Sequence, residues 1–112
     1  MNNCHMAILR HARISPPKVR QVARVLKGKS AAEGCDLLRF IPRKSAQIIR
    51  KVLSSAIANA ENNAGQPVER LRIANVLVEE GVAFRRHIPA ARGSAHPIRK
   101  RTSHIKVVLR EE

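Results

Sequence analysis

The chain has 112 residues, enough for one compact domain and too few for two ordinary ones. It carries 22 Lys and Arg against 8 Asp and Glu, a formal charge of +14 and a pI near 11.6, far more than solubility requires. A field of that size is matched by a polyanion. Nucleic acid and an anionic membrane are the usual two, but there is no apolar run of about 18 residues and no Trp or Tyr to anchor a surface helix. Membrane association is therefore not expected. The opening Met1-Asn2-Asn3-Cys4-His5 does not read as a signal or transit peptide, which predicts a cytoplasmic protein. Cys4 and Cys35 lack C-x-x-C spacing, so two reduced thiols are expected rather than a disulfide or a zinc site.

In chain order, residues 7–14 suggest a short strand. Ser15 followed by Pro16 is an N-cap with proline at the first helical position. Val19, Val22, Ala23 and Leu26 then form one apolar stripe and Gly28 ends it, predicting a helix over about 16–27. Ser30 and Glu33 make a capping box for a second helix, which carries Leu37 and Leu38 and is stopped by Pro42. Ile49, Val52, Leu53, Ala56, Ile57 and Ala60 fall at helical spacing before Asn62-Asn63-Ala64-Gly65, so a third helix is predicted over about 43–63. Beyond Pro67 the preference turns β-branched: LRIANVLV at 71–78 and IKVVL at 105–109 read as strands. The expected fold is α+β in one domain over 1–112, three helices on a small antiparallel three-stranded sheet with a long protruding β-hairpin.

That hairpin is the segment of about 82–101, VAFRRHIPAARGSAHPIRKR, basic and broken near its middle by Pro89 and Gly93. About eleven residues at ~3.3 Å each would carry its tip on the order of 35 Å outward. Two bare strands of that length are not stable alone in water, so the arm requires a partner. Charge follows the same division. The basic residues of the first 32 positions are Arg10, Arg13, Lys18, Arg20, Arg24, Lys27 and Lys29, with no acid among them, whereas 33–80 holds seven basic and six acidic residues. The arm and final strand are basic again until Glu111 and Glu112. Three consecutive cations, Arg99, Lys100 and Arg101, would point to both faces if they lay on one strand.

Nothing in the sequence composes an active site. Glu79 and Glu80 are adjacent and on a strand face opposite ways. His87 and His96 might meet across the hairpin, yet no carboxylate in the arm completes a metal or acid–base site, and a phosphate-cradling Gly-rich loop is absent. No enzyme activity, cofactor, metal or small-molecule substrate is expected. What remains is binding: Arg and Lys neutralise phosphates, and Arg also stacks on exposed bases. With only two Phe, stacking of single-stranded bases on an aromatic sheet is disfavoured, and recognition of folded RNA by shape and phosphate position fits better.

The run Arg99-Lys100-Arg101-Thr102-Ser103-His104-Ile105-Lys106-Val107-Val108, with KRTSHI at its centre, closely resembles the bacterial-type family of the twenty-second protein of the large ribosomal subunit. Further matches are Lys18-Val19-Arg20, Ser54-Ser55-Ala56-Ile57-Ala58-Asn59-Ala60-Glu61 and Val78-Glu79-Glu80-Gly81, so the resemblance spans nearly the whole chain in order. It implies a globular domain on the outer face of the large subunit near the tunnel exit and a hairpin threading inward through the rRNA. It also implies a role in early assembly and a tip near the macrolide-binding region. The implied partners are large-subunit rRNA, neighbouring large-subunit proteins and, at the tip, the nascent polypeptide. The implied rRNA-binding residues are Arg10, Arg13, Lys18, Arg20, Arg24, Lys27, Lys29, Arg85, Arg86, Arg99, Lys100, Arg101, Thr102, Ser103 and His104. The implied tunnel-lining tip is Pro89, Ala90, Ala91, Arg92, Gly93 and Ser94. This sequence departs from the family pattern at Ala90 and Ser94, where cations are common, and at Pro97 in the returning strand. The alternative reading of the composition is a nucleoid-type DNA architectural protein with proline-bearing β-arms.

Overall fold

The computed structural model describes residues 4–81, 84–89 and 95–112, with side-chain surroundings for 4–81 and 101–112. In chain order the elements are β1 (Cys4–Ala12), α1 (Pro16–Leu26), α2 (Ala31–Phe40) and α3 (Lys44–Ala64), then a 3-10 turn (Val68–Arg70), β2 (Leu71–Glu80), β3 (Phe84–Pro89), β4 (Ala95–Lys100) and β5 (Ser103–Glu111). The fold is α+β, as expected. The sheet order is β1-β5-β2, antiparallel throughout, and β3-β4 forms a separate two-stranded ladder.

Alternation along β5 decides which face receives the helices. Ile105, Val107 and Leu109 are buried, while His104, Lys106 and Val108 between them are half-buried on the opposite face. Against the buried face lie Val19, Val22, Ala23 and Leu26 of α1, Leu38 of α2, and Ile49, Val52, Leu53, Ala56 and Ala60 of α3. Gly34 lets α2 come this close: a Cβ there would stand 2.6 Å from Ile73 Cδ1.

The helix ends follow the local chemistry with one exception. Ser30 Oγ accepts from the Glu33 N–H at 3.2 Å, and Gly65 closes α3 in the left-handed region at φ 65°. Ser15 occupies the N-cap of α1 in extended backbone, but its side chain makes no cap bond; its carbonyl accepts from Lys18 and Val19 N–H instead. Pro16 and Pro17 explain this, because they remove the donors that a cap would satisfy early in the turn.

Both outer strands are closed to further pairing by side chains and loops. Asn59 of α3 donates to the Met6 carbonyl on β1 at 3.0 Å. On β2, Ile73 exchanges hydrogen bonds with the Gly28–Lys29 backbone, and Arg20 donates to the Val78 carbonyl at 3.2 Å. Each outer strand also carries a register shift, β1 between Leu9 and Ala12 and β2 between Ile73 and Asn75, while β5 serves both as the continuous partner.

Beyond Gly81 the chain leaves the layered domain. The ladder of β3 and β4 pairs Phe84 with Lys100 through to Pro89 with Ala95, and the principal extents of the molecule are 62 × 29 × 18 Å. The expected run of three cations on one strand is corrected: β4 ends at Lys100 and β5 starts at Ser103, leaving exposed Arg101 in the break between them. The tip residues Ala90, Ala91, Arg92, Gly93 and Ser94 lie outside the described residues.

Candidate nucleic-acid interface

β2, β5 and α3 share a common axis. β2 ends and β5 begins at the neck of the arm, and α3 starts there, with Ser45 lining the same groove as Arg101. The neck is tight. Gly81 N–H donates to the Thr102 carbonyl at 2.9 Å, and a Cβ on Gly81 would stand 2.5 Å from Thr102 Oγ1 and 3.1 Å from His104 Cε1. Beside it, His11 takes a positive φ of 59° in the β1 bulge, and its N–H donates to His104 Nδ1 at 3.1 Å. The two rings meet edge to face at 4.8 Å.

Alongside the neck lies an open groove of about 680 Å³ lined by Arg13, Ile14, Ser15, Lys18, Gln21, Arg43, Lys44, Ser45 and Arg101. Five of these nine residues are cations and none is an acid. Two are held in place: Arg43 Nη1 donates to Gln21 Oε1 at 2.7 Å, tying α3 to α1 across the groove, and Arg101 pairs with Glu80 at 3.2 Å. The Arg101–Glu80 pair is exposed and contributes little to stability, but it orients the guanidinium.

The residues expected to bind RNA thus divide by place. Arg13, Lys18 and Arg101 meet in the neck groove. Arg20, Arg24 and Lys27 line a second, shallower channel between α1 and β2, with Asn75 to Val78 as its other wall. Arg10 is on the outer sheet face with Lys106 and His104, and Lys29 sits apart at the α1–α2 connection. Arg85, Arg86, Arg99 and Lys100 belong to the β3–β4 ladder, whose register sets Arg85 directly opposite Arg99. Like charges directly opposed destabilise a ladder unless an anion intervenes. Pro89 ends β3. His87 pairs with Pro97 and His96 with Ile88, so the two histidines are not cross-strand partners.

Two expected contacts are corrected by burial. Thr102 and Ser103 are 1% and 0% exposed, and Ser103 Oγ donates to the Ile14 carbonyl at 2.6 Å. These side chains fasten the neck to the β1–α1 connection and offer no surface. His104 likewise has its Nδ1 engaged by His11. Conversely, Arg43 and Lys44 were hidden from sequence reasoning inside the nearly neutral middle. The available signal was a helix start without an acid in its first turn, where the dipole favours one. Arg50, Lys51 and Gln47 extend the basic surface along the exposed side of α3.

Burial pushes the Cys35 thiol up, against smaller opposing effects of Arg39 and Arg50, so this thiol is held in its neutral form. Cys4 and Cys35 are both free. Among the described residues no group of three metal-ligating side chains forms.

A single layered domain with an acid-free cationic groove at the root of a basic hairpin defines a small nucleic-acid-organising protein. The family described as Ribosomal protein L22p/L17e matches residues 7–110. The chain is 55% identical over 106 residues to the large ribosomal subunit protein uL22 of Methylacidiphilum infernorum, covering 95% of this chain and 93% of that protein. It is 48% identical over 106 residues to that of Akkermansia muciniphila, covering 95% of each, and 48% over 103 residues to that of Opitutus terrae, covering 92% and 91%. The chain belongs to this family of ribosomal proteins, which are structural and not enzymatic. The DNA-architectural alternative falls with that membership.

Proposed function

We propose that this protein is a structural constituent of the large ribosomal subunit that clamps rRNA between its neck groove and its arm. In this reading the tip, Pro89 to Ser94, reaches the wall of the tunnel travelled by the nascent polypeptide. Membership in the ribosomal family makes it a large-subunit protein of the cytoplasm, associated with rRNA and neighbouring ribosomal proteins. The observation that carries the clamp is the neck groove, where Arg13, Lys18, Arg43, Lys44 and Arg101 gather around the root of a ladder that opposes Arg85 to Arg99. Such an arrangement repels itself until phosphates fill it.

If six to ten phosphates are neutralised, affinity for protein-free large-subunit rRNA falls by roughly 10³–10⁵ between about 50 and 200 mM salt. A flat salt response overturns the electrostatic clamp. The tip is tested separately. Arg92→Ala should alter macrolide response or nascent-chain stalling more than subunit assembly, whereas Arg99→Ala and Arg101→Ala, nearer the base, should do the reverse. Equal effects of all three on both assays overturn the division between tip and base.

A further inference from the structure

The neck groove contains a more specific device than a cluster of cations. Arg43 is the N-cap of α3 but provides no side-chain cap, and the first turn holds no acid. The N–H groups of Lys44 and Ser45 are therefore left over by the helix, as the first N–H groups of any helix are. Ser45 is 2% exposed, lines the groove, and makes no side-chain hydrogen bond among the described residues. A buried hydroxyl without a partner is costly, and one beside unused N–H donors and several cations is a donor set awaiting an acceptor. α1 starts at the same groove but contributes differently: Pro16 and Pro17 have no N–H, and its donor there is the Lys18 ammonium.

We propose that the N-terminus of α3 holds one backbone phosphate of the rRNA. The Lys44 and Ser45 N–H groups and Ser45 Oγ donate to its non-bridging oxygens, and Arg43, Arg13, Lys18 and Arg101 close around it. The α3 dipole, 21 residues long, points its positive end at the same place. The Gln21–Arg43 hydrogen bond fixes one guanidinium before RNA arrives, so less side-chain freedom is lost on binding. This site rests on the rRNA-clamp reading above and sharpens it from a distributed charge to one seated phosphodiester.

The test compares two double variants of equal charge, Arg43→Ala with Lys44→Ala in the groove, and Arg70→Ala with Arg110→Ala at the far end of the sheet, each confirmed folded by its melting curve. With protein-free large-subunit rRNA at fixed salt, the groove pair should weaken binding at least about tenfold more than the far pair. It should also lower the salt slope by about one to two. Ser45→Ala should weaken binding by about tenfold with an unchanged melting temperature, the loss expected for a hydrogen bond to a charged group. Phosphate-ethylation interference should give one or two modified positions that block the wild-type chain and no longer matter to the groove pair. Equal losses from the two double variants, or an interference pattern unchanged by the groove pair, overturn the seated phosphate while leaving the clamp standing. A wild-type chain that does not bind this rRNA overturns both.

Discussion

β2 and β5 on one side of Gly81, and β3 and β4 on the other, are two lengths of the same antiparallel excursion of the chain, built on different terms. In the domain, β5 alternates Ile105, Val107 and Leu109 toward three helices, and the opposite positions His104, Lys106 and Val108 remain part-exposed. In the arm the strands read FRRHIP and AHPIRK, two prolines and five basic residues other than histidine in twelve positions. Removal of apolar area from water supports the first ladder. The second has no such composition, and its register opposes arginine to arginine. The comparison teaches that continuity of hydrogen bonding does not imply continuity of stability: the ladder beyond the neck depends on what surrounds it.

The sharpest way to break that comparison is to remove the arm. Gly81 N–H already donates to the Thr102 carbonyl, as the closing pair of a two-residue turn does, so an Asn-Gly turn in place of residues 82–101 should fit the strand twist. The trimmed chain should melt cooperatively near the full-length temperature while its rRNA affinity drops by several orders of magnitude at low salt, since Arg85, Arg86, Arg92, Arg99, Lys100 and Arg101 leave together. An unfolded trimmed chain would make the arm part of the core. Next in size is Leu53→Ala, fully buried on α3, which should cost about 2–5 kcal/mol in a denaturant titration; Ile57→Ala, only half-buried, should cost less. Gly34→Ala should cost about 1–3 kcal/mol because its Cβ must displace Ile73 Cδ1, and Ile73→Val on the same chain should recover part of that loss. Smallest is Ser30→Ala, about 1 kcal/mol from the lost α2 cap, seen as a slight fall in melting temperature with no change in RNA affinity.

The helices and sheet were legible because each rests on a local rule. The stripe Val19, Val22, Ala23 and Leu26 is buried throughout, the Ser30–Glu33 cap forms, and Gly65 ends α3 one residue beyond the predicted helix end plus its cap. The strands proved longer than their apolar centres, since β2 continues through Glu79 and Glu80 and β5 begins at Ser103, positions where backbone pairing rather than side-chain burial extends the ladder. The interface was legible in its charge and not in its geometry. Arg13, Lys18, Arg43, Lys44 and Arg101 are spread over 89 positions of sequence and meet only because the neck brings β1's end, the starts of α1 and α3, and the entry to β5 together. Thr102 and Ser103 illustrate the converse: polar residues inside a cationic signature look like ligands until the fold shows that Ser103 bonds the Ile14 carbonyl.

The strand order β1-β5-β2 has a consequence for the order of events during synthesis. β1 and β2 never touch, and both pair only with β5, the last strand to be made. Until residues 103–111 have left the ribosome that is translating them, no two strands of the three-stranded sheet can meet, and the helices have no sheet to cover. Closing β1 onto β5 joins residues about a hundred positions apart, Cys4 to Arg110 and Met6 to Val108, which is a slow contact by loop length. The chain therefore acquires its neck, and with it the groove that Arg101 completes, in a single late step after synthesis ends, so that a truncated product ending before β5 has neither a fold nor an assembled RNA site.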